Sequence, residues 1–129
     1  VIILDTHALI WFALEPERLS GAAAEAIDVD PQRAISAITA QEVAYQAARK
    51  RIDLYSPARI WLGDVLSALE AQALPVTTPV ALRAGSLDPA DFHGDPFDRL
   101  IYATAVEHDA QLVTADKRLR EADPSRVVW

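Results

Sequence analysis

A three-layer α/β fold is predicted by the alternation of short apolar runs with helical segments along the sequence. Three observations carry that prediction. Val1-Ile2-Ile3-Leu4 is a continuous, mostly β-branched run, the mark of a strand buried on both faces, as in a parallel sheet. Further strand-like runs follow at Arg33 to Ala37, Leu74 to Val76, Gln111 to Thr114 and Arg126 to Trp129. At least one helical stretch separates each run from the last, so strands feed helices through connections expected to be right-handed. No repeat, low-complexity tract or linker interrupts the pattern, which predicts a single domain over 1–129.

The elements are justified in order. After the first strand, Asp5 or Thr6 can cap a helix reaching about Leu14, and Glu15-Pro16-Glu17 breaks it. Ser20 starts an Ala-rich helix to about Asp28, stopped by Asp30-Pro31. Thr39-Ala40-Gln41-Glu42 has capping-box spacing, predicting a helix to about Lys50 with Ala40, Val43, Ala44, Ala47 and Ala48 turned inward. Ser56-Pro57 opens the longest helix, to about Ala73, with an apolar stripe of Ala58, Trp61, Leu62, Val65, Leu66 and Leu69. Leu74-Pro75-Val76 is a weak strand, and Thr78-Pro79 starts a short helix ending near Gly85. Leu87 to Asp95 reads as loop. Asp95-Pro96 then supplies an N-cap and a proline at the first helical position of a helix to about His108. Asp116 caps a last short helix before the fifth strand.

Composition narrows the function. A chain of 129 residues with 51% hydrophobic content can bury a core and is not disordered. Twelve Lys plus Arg against 19 Asp plus Glu leave a net charge of -7, which excludes broad electrostatic binding of nucleic acid. Any RNA must be drawn by a metal and by local basic patches. With no cysteine, disulfides and thiolate metal sites are excluded. The residues given contain no signal peptide, and the run Ala8 to Leu14 is far short of the ~20 residues a bilayer needs. A soluble, cytoplasmic protein with no membrane partner is expected.

Asp5, Glu42, Asp98 and Asp116 lie scattered through the chain, yet each follows or flanks a place where strand gives way to helix. In a parallel α/β sheet such positions converge in the crevice beyond the strand C-termini. Taken singly, Glu42 reads as the end of a capping box, Asp98 as an acid favoured at a positive helix end, and Asp116 as an N-cap. Asp5, directly after a buried strand, has little structural reason to be acidic. Four capping accidents on one edge are less probable than one cation site. Oxygen-only donors suit Mg²⁺ or Mn²⁺ rather than Zn²⁺, and carboxylate-held cations serve phosphodiester or phosphoryl chemistry.

The opening VIILDTHALIW, the internal SAITAQE, HGDPFDRLIYATA at 93–105 and LVTADKRL at 112–119 together resemble the PIN-domain ribonucleases, specifically toxins of the VapC type. The resemblance spans nearly the whole chain in order, and the HGDPFDR segment combined with the strand-one Asp is specific. It implies a PIN-like α/β/α domain with a five-stranded parallel sheet and a Mg²⁺-dependent endoribonuclease. It also implies a homodimer and a small cognate VapB-type antitoxin that blocks the site, with DNA met only indirectly, through the antitoxin. By motif match Asp5 and Asp98 would be metal ligands, Glu42 a ligand direct or through water, and Asp116 the fourth acid, with Asp95 accessory. In that chemistry Glu42 orients or deprotonates a water for in-line attack, leaving 5′-phosphate and 3′-hydroxyl ends.

Thr6 and Thr114 flank acids and can hold a ligand in place, although capping explains both equally well. His7 starts a helix and His93 sits in a loop, and the resemblance assigns neither to catalysis. Arg99, Lys117, Arg118 and Arg120 adjoin the acids and are the candidates for RNA phosphate contacts. Two other Mg²⁺-binding α/β classes fit less well. A receiver domain would carry paired acids after strand one and a Lys at the last strand end, and a dehalogenase-type phosphatase would carry an acid where His7 stands. A non-catalytic module that kept the PIN fold is the remaining alternative.

Overall fold

A computed structural model describes residues 1–92 and 94–129; the possible role of His93 lies outside the described residues. The expected strands are β1 (Ile2–Leu4), β2 (Arg33–Ser36), β3 (Gln72–Leu74), β4 (Gln111–Val113) and β5 (Val127–Val128). Among the described residues they form one five-stranded, all-parallel sheet in the order β3-β2-β1-β4-β5. The helices are α1 (Thr6–Leu14), α2 (Gly21–Val29), α3 (Ala37–Ala48), α4 (Ala58–Leu69), α5 (Thr78–Ser86), α6 (Pro96–Glu107) and α7 (Lys117–Ala122).

Period-two alternation divides the central strand between two cores. Ile2 and Leu4 pack with Leu9, Ile27, Trp61 and Val65 from α1, α2 and α4. Ile3 faces the other way and packs with Ile101, Tyr102 and Ala105 of α6. Every residue of β1 is buried, and each such Ile or Leu contributes roughly 1.5–3 kcal/mol relative to exposure. Thus the apolar run at the start of the sequence becomes the middle of a three-layer sandwich. No helix of the described residues is long and apolar enough to cross a membrane.

Three boundaries differ from the sequence reading. Helix α3 starts at Ala37, capped by Ser36, whose Oγ accepts from the Ile38 N–H at 3.4 Å. The Thr39/Glu42 capping box therefore does not form: Thr39 lies inside the first turn, fully buried. Ala44 and Ala48 are exposed, while Val43 is buried. Helix α4 stops at Leu69, where Glu70 turns the chain in left-handed conformation. β3 accordingly precedes Pro75 rather than spanning it, because proline has no N–H to give a ladder.

Candidate functional site

Parallel topology decides where the acids gather. Strands β1, β2 and β4 point the same way, and the helices that return over them run antiparallel, so α1, α3, α6 and α7 all begin at the C-terminal edge of the sheet. Asp5 follows β1 and caps α1, accepting the Ala8 N–H at 2.7 Å. Its own N–H donates to the Val113 carbonyl at 3.1 Å, fixing the chain against β4. Asp116 caps α7, accepting from Arg118 and Leu119 at 2.8 and 3.1 Å. Asp95 caps α6, accepting from Phe97 and Asp98 at 2.8 and 3.3 Å, which puts Asp98 in the first turn. Glu42 lies in α3, just beyond its first turn.

Two buried threonines hold the acids. The Thr6 hydroxyl donates to Glu42 Oε2 at 3.1 Å, a bond across 36 residues that explains why Glu42 is not a local cap. Thr114 donates its hydroxyl to Asp5 and accepts the Asp116 N–H at 3.1 Å. One side chain thereby ties the ends of β1 and β4 together. Neither hydroxyl was more than an accessory in the sequence; both are fully buried, Thr6 at 2% exposure and Thr114 at 0%.

The electrostatics are those of crowded carboxylates. Burial pushes the Asp5 carboxyl up; the Thr114 hydroxyl, the Ala8 N–H and the charge of His7 pull against it, and Asp116 adds to the push. Glu42 is also raised, first by burial, against the Thr6 hydroxyl and His7, with Asp95 and Asp5 adding repulsion. Asp5, Glu42, Asp95 and Asp116 thus act on one another in pairs across the edge. Among the described residues, no three His, Asp or Glu side chains stand in a ligand-spaced group. The donor set nevertheless fits a hard divalent cation, since all its members are oxygens and its most buried members bear charge at a cost that a cation offsets.

A pH dependence follows. Asp5 and Glu42 have raised folded-state values, so the folded chain binds protons that the unfolded chain releases, and stability falls as pH rises through those values. Asp123 has the opposite sign. Burial pushes it up, but bonds from Ser125, Tyr102 and Arg126 outweigh that and hold it below the usual 3.8. Its stabilisation is lost only as pH falls through that lower range. The metal-free protein should therefore lose stability as pH rises from the ordinary carboxylate range through the raised values of Asp5 and Glu42, and should lose it again in stronger acid as Asp123 is protonated. Thermal scans in EDTA across that range check this, and a monotonic fall from neutral pH downward would contradict it.

The basic residues do not behave alike. Arg99 donates Nε to the Ala84 carbonyl at 2.9 Å and Nη2 to the Leu87 carbonyl at 2.6 Å. It braces the exit of α5. Arg118 donates Nη2 to the Pro89 carbonyl at 3.0 Å. Lys117 and Arg120 are exposed on α7 beside Asp116. The sequence reading also missed Ser36 and took Thr39 only for a cap; both are fully buried at the start of α3. Ser36 Oγ accepts from Thr104 Oγ1 at 3.3 Å, whereas Thr39 Oγ1 has no partner among the described residues.

Comparison with known proteins gives this edge its context. The PIN domain model matches residues 2–124. Ribonuclease VapC22 of Mycobacterium tuberculosis is 44% identical over 130 residues, covering 99% of this chain and 98% of that protein. A toxin-antitoxin complex from Klebsiella pneumoniae superposes with a TM-score of 0.67 at 25% identity, over 100% of this chain and 97% of that one. The VapBC2 structure of Rickettsia felis, bound to a DNA fragment from its promoter, shares the fold with a TM-score of 0.71 at 16% identity, over 98% and 96%. The family model and the full-length similarity to a ribonuclease agree, and the chain belongs to the PIN-domain family, in its VapC ribonuclease branch.

Proposed function

We propose that this chain is a Mg²⁺-dependent endoribonuclease toxin of the cytoplasm, acting as a homodimer and held in check by a small VapB-type antitoxin. The observation that carries the reading is the buried, raised carboxyl of Asp5, with Asp116 and Glu42 close enough to repel it. Such a group is costly without a cation. The named relatives, a ribonuclease and chains from toxin-antitoxin complexes, support the substrate class and the partner.

Asp5, Asp98 and Asp116 would hold Mg²⁺ or Mn²⁺, with Glu42 holding it directly or through water. When bound, the cation polarises the scissile phosphodiester and offsets the charge that develops on it. Glu42, raised by burial and oriented by the Thr6 hydroxyl, accepts the proton of the attacking water. Thr114 keeps Asp5 and Asp116 in register through the bonds described above. Lys117, Arg118 and Arg120 at the start of α7 would meet the phosphates flanking the cut.

The test is cleavage of a pool of structured RNAs by the purified chain with Mg²⁺, with EDTA, and with Asp98→Asn. Cutting should need both the metal and Asp98, with a loss of at least about 10²-fold in the variant, while its melting curve stays cooperative. Cutting that persists in EDTA, or in a folded Asp98→Asn protein, sinks the reading.

A further inference from the structure

Among the described residues, the fully buried polar side chains all carry a hydroxyl: Thr6, Ser36, Thr39, Thr104 and Thr114. Two of them are explained, since Thr6 holds Glu42 and Thr114 ties Asp5 to Asp116. The other three belong to the start of α3 and to α6. The Thr104 hydroxyl is shared between the Leu100 carbonyl of its own helix, at 2.7 Å, and Ser36 Oγ, at 3.3 Å. Ser36 Oγ also accepts the Ile38 N–H that caps α3. One buried side-chain bond, spanning 68 residues of sequence, thus fastens α6 to the first turn of α3.

Stability does not account for these hydroxyls. Valine has the shape of threonine, and apolar groups of the same shape in place of a buried bonded pair are nearly neutral or stabilising. Thr39 is costlier still, because its Oγ1 has no partner among the described residues.

Placement relative to the acids does account for the bonded pair. Ser36 stands six residues before Glu42 on α3, and Thr104 six residues after Asp98 on α6. Six helical residues span roughly 9 Å, so the bond lies about equally far from an acid on each helix. The helices also approach at the acids themselves, where Asp95 at the head of α6 is near enough to Glu42 for its charge to act on it. A slide of α6 along α3 therefore changes the separation of Asp98 from Glu42. Buried apolar contact is non-directional, whereas a hydrogen bond prescribes both a length and an angle.

We propose that Ser36 and Thr104 are positioning residues of the carboxylate site: their bond sets the register of α6 on α3, and with it the spacing at which Asp98 and Glu42 meet a divalent cation. The inference rests on the metal reading above and deepens it.

The parent chain is compared with Thr104→Val, which removes the hydroxyl and keeps the shape, and with Thr104→Ser, which keeps the hydroxyl and removes a methyl. Melting is followed in EDTA and across a titration with MgCl₂, whose stabilisation returns the Mg²⁺ dissociation constant. In EDTA, Thr104→Val should melt within about 2 °C of the parent or above it. It should nevertheless bind Mg²⁺ about tenfold more weakly. Thr104→Ser should melt roughly 2–6 °C lower, because it leaves a methyl-sized cavity. Its Mg²⁺ affinity should stay within about twofold of the parent. Stability and cation affinity then rank the two variants in opposite orders, which a purely structural role for Thr104 cannot produce. Equal Mg²⁺ affinity in the parent and Thr104→Val, or affinities that fall in step with melting temperature in both variants, overturns the positioning role. In either case a parent chain that binds Mg²⁺ and needs it to cut leaves the metal reading standing. A parent chain that Mg²⁺ does not stabilise overturns both.

Discussion

Asp5→Asn should abolish RNA cleavage and at the same time raise the melting temperature of the metal-free protein. The two effects have one cause. Burial and Asp116 together make a negative charge at Asp5 costly, and the N–H of Ala8 and the hydroxyl of Thr114 offset only part of that cost. Asparagine keeps an oxygen to cap α1, so the helix start is retained while the repulsion disappears. Removal of the charge also removes a ligand: cleavage should fall by at least about 10²- to 10³-fold. In EDTA at neutral pH the variant should melt roughly 2–6 °C higher. Added Mg²⁺ should reverse the order. A site filled at about a hundred times its dissociation constant stabilises by about 2.7 kcal/mol, and only the parent chain should show that gain. Calorimetry of both proteins with and without Mg²⁺ reads all of this. A variant that melts below the parent in EDTA would mean that the cap outweighs the charge and that the site is not strained toward a cation.

How far this edge was legible in the sequence depends on whether local chemistry or topology decides each residue. The strand of Ile2 to Leu4 announced itself because burial on both faces demands a continuous apolar run. β3 did not, since Gln72 and Ala73 are exposed on a sheet edge and carry no apolar signal. The caps at Ser20, Asp95 and Asp116 were readable, each a short polar side chain before a helical run. The start of α3 was not, because Ser36 and Thr39 both stand where a cap can stand. Only the long-range bond from Thr6, which takes Glu42 away from any local role, decides between them. Arg99 looked like a phosphate ligand beside Asp98, and nothing local reveals that the Ala84 and Leu87 carbonyls meet its guanidinium. Trp11 and Trp129 come from opposite ends of the sequence, so their contact exists only once β5 has joined β4. The acids and the two threonines were therefore visible as candidates one by one, whereas which of them meet, like the contact of Trp11 with Trp129, is a product of the parallel sheet.

The opposite edge of the sheet follows the same dipole logic with the sign reversed, and Arg33→Ala should expose it. Helices that begin at the acid edge end at the other one, where their last carbonyls lack partners and the dipole is negative. Arg33, the first residue of β2, sits there. Its Nε donates to the Ile27 carbonyl at 2.5 Å, Nη2 to Asp28 at 3.0 Å and Nη1 to Leu69 at 3.2 Å. One guanidinium thus closes the last turn of α2 and the end of α4. Bonds from a charged donor are worth about 1.5–3 kcal/mol each but are not additive when they share a group. We expect Arg33→Ala to lose about 3 kcal/mol, seen as a melting temperature lower by roughly 10 °C. Arg33→Lys should recover only part of this, because one ammonium cannot reach three carbonyls in a fixed fork. Cleavage per folded molecule should stay within about twofold of the parent in both variants, since the acids lie beyond the opposite strand ends. A large fall in turnover at a temperature where the variant is fully folded would show that the two edges are coupled through β2, and the separation of stability from chemistry argued here would be lost.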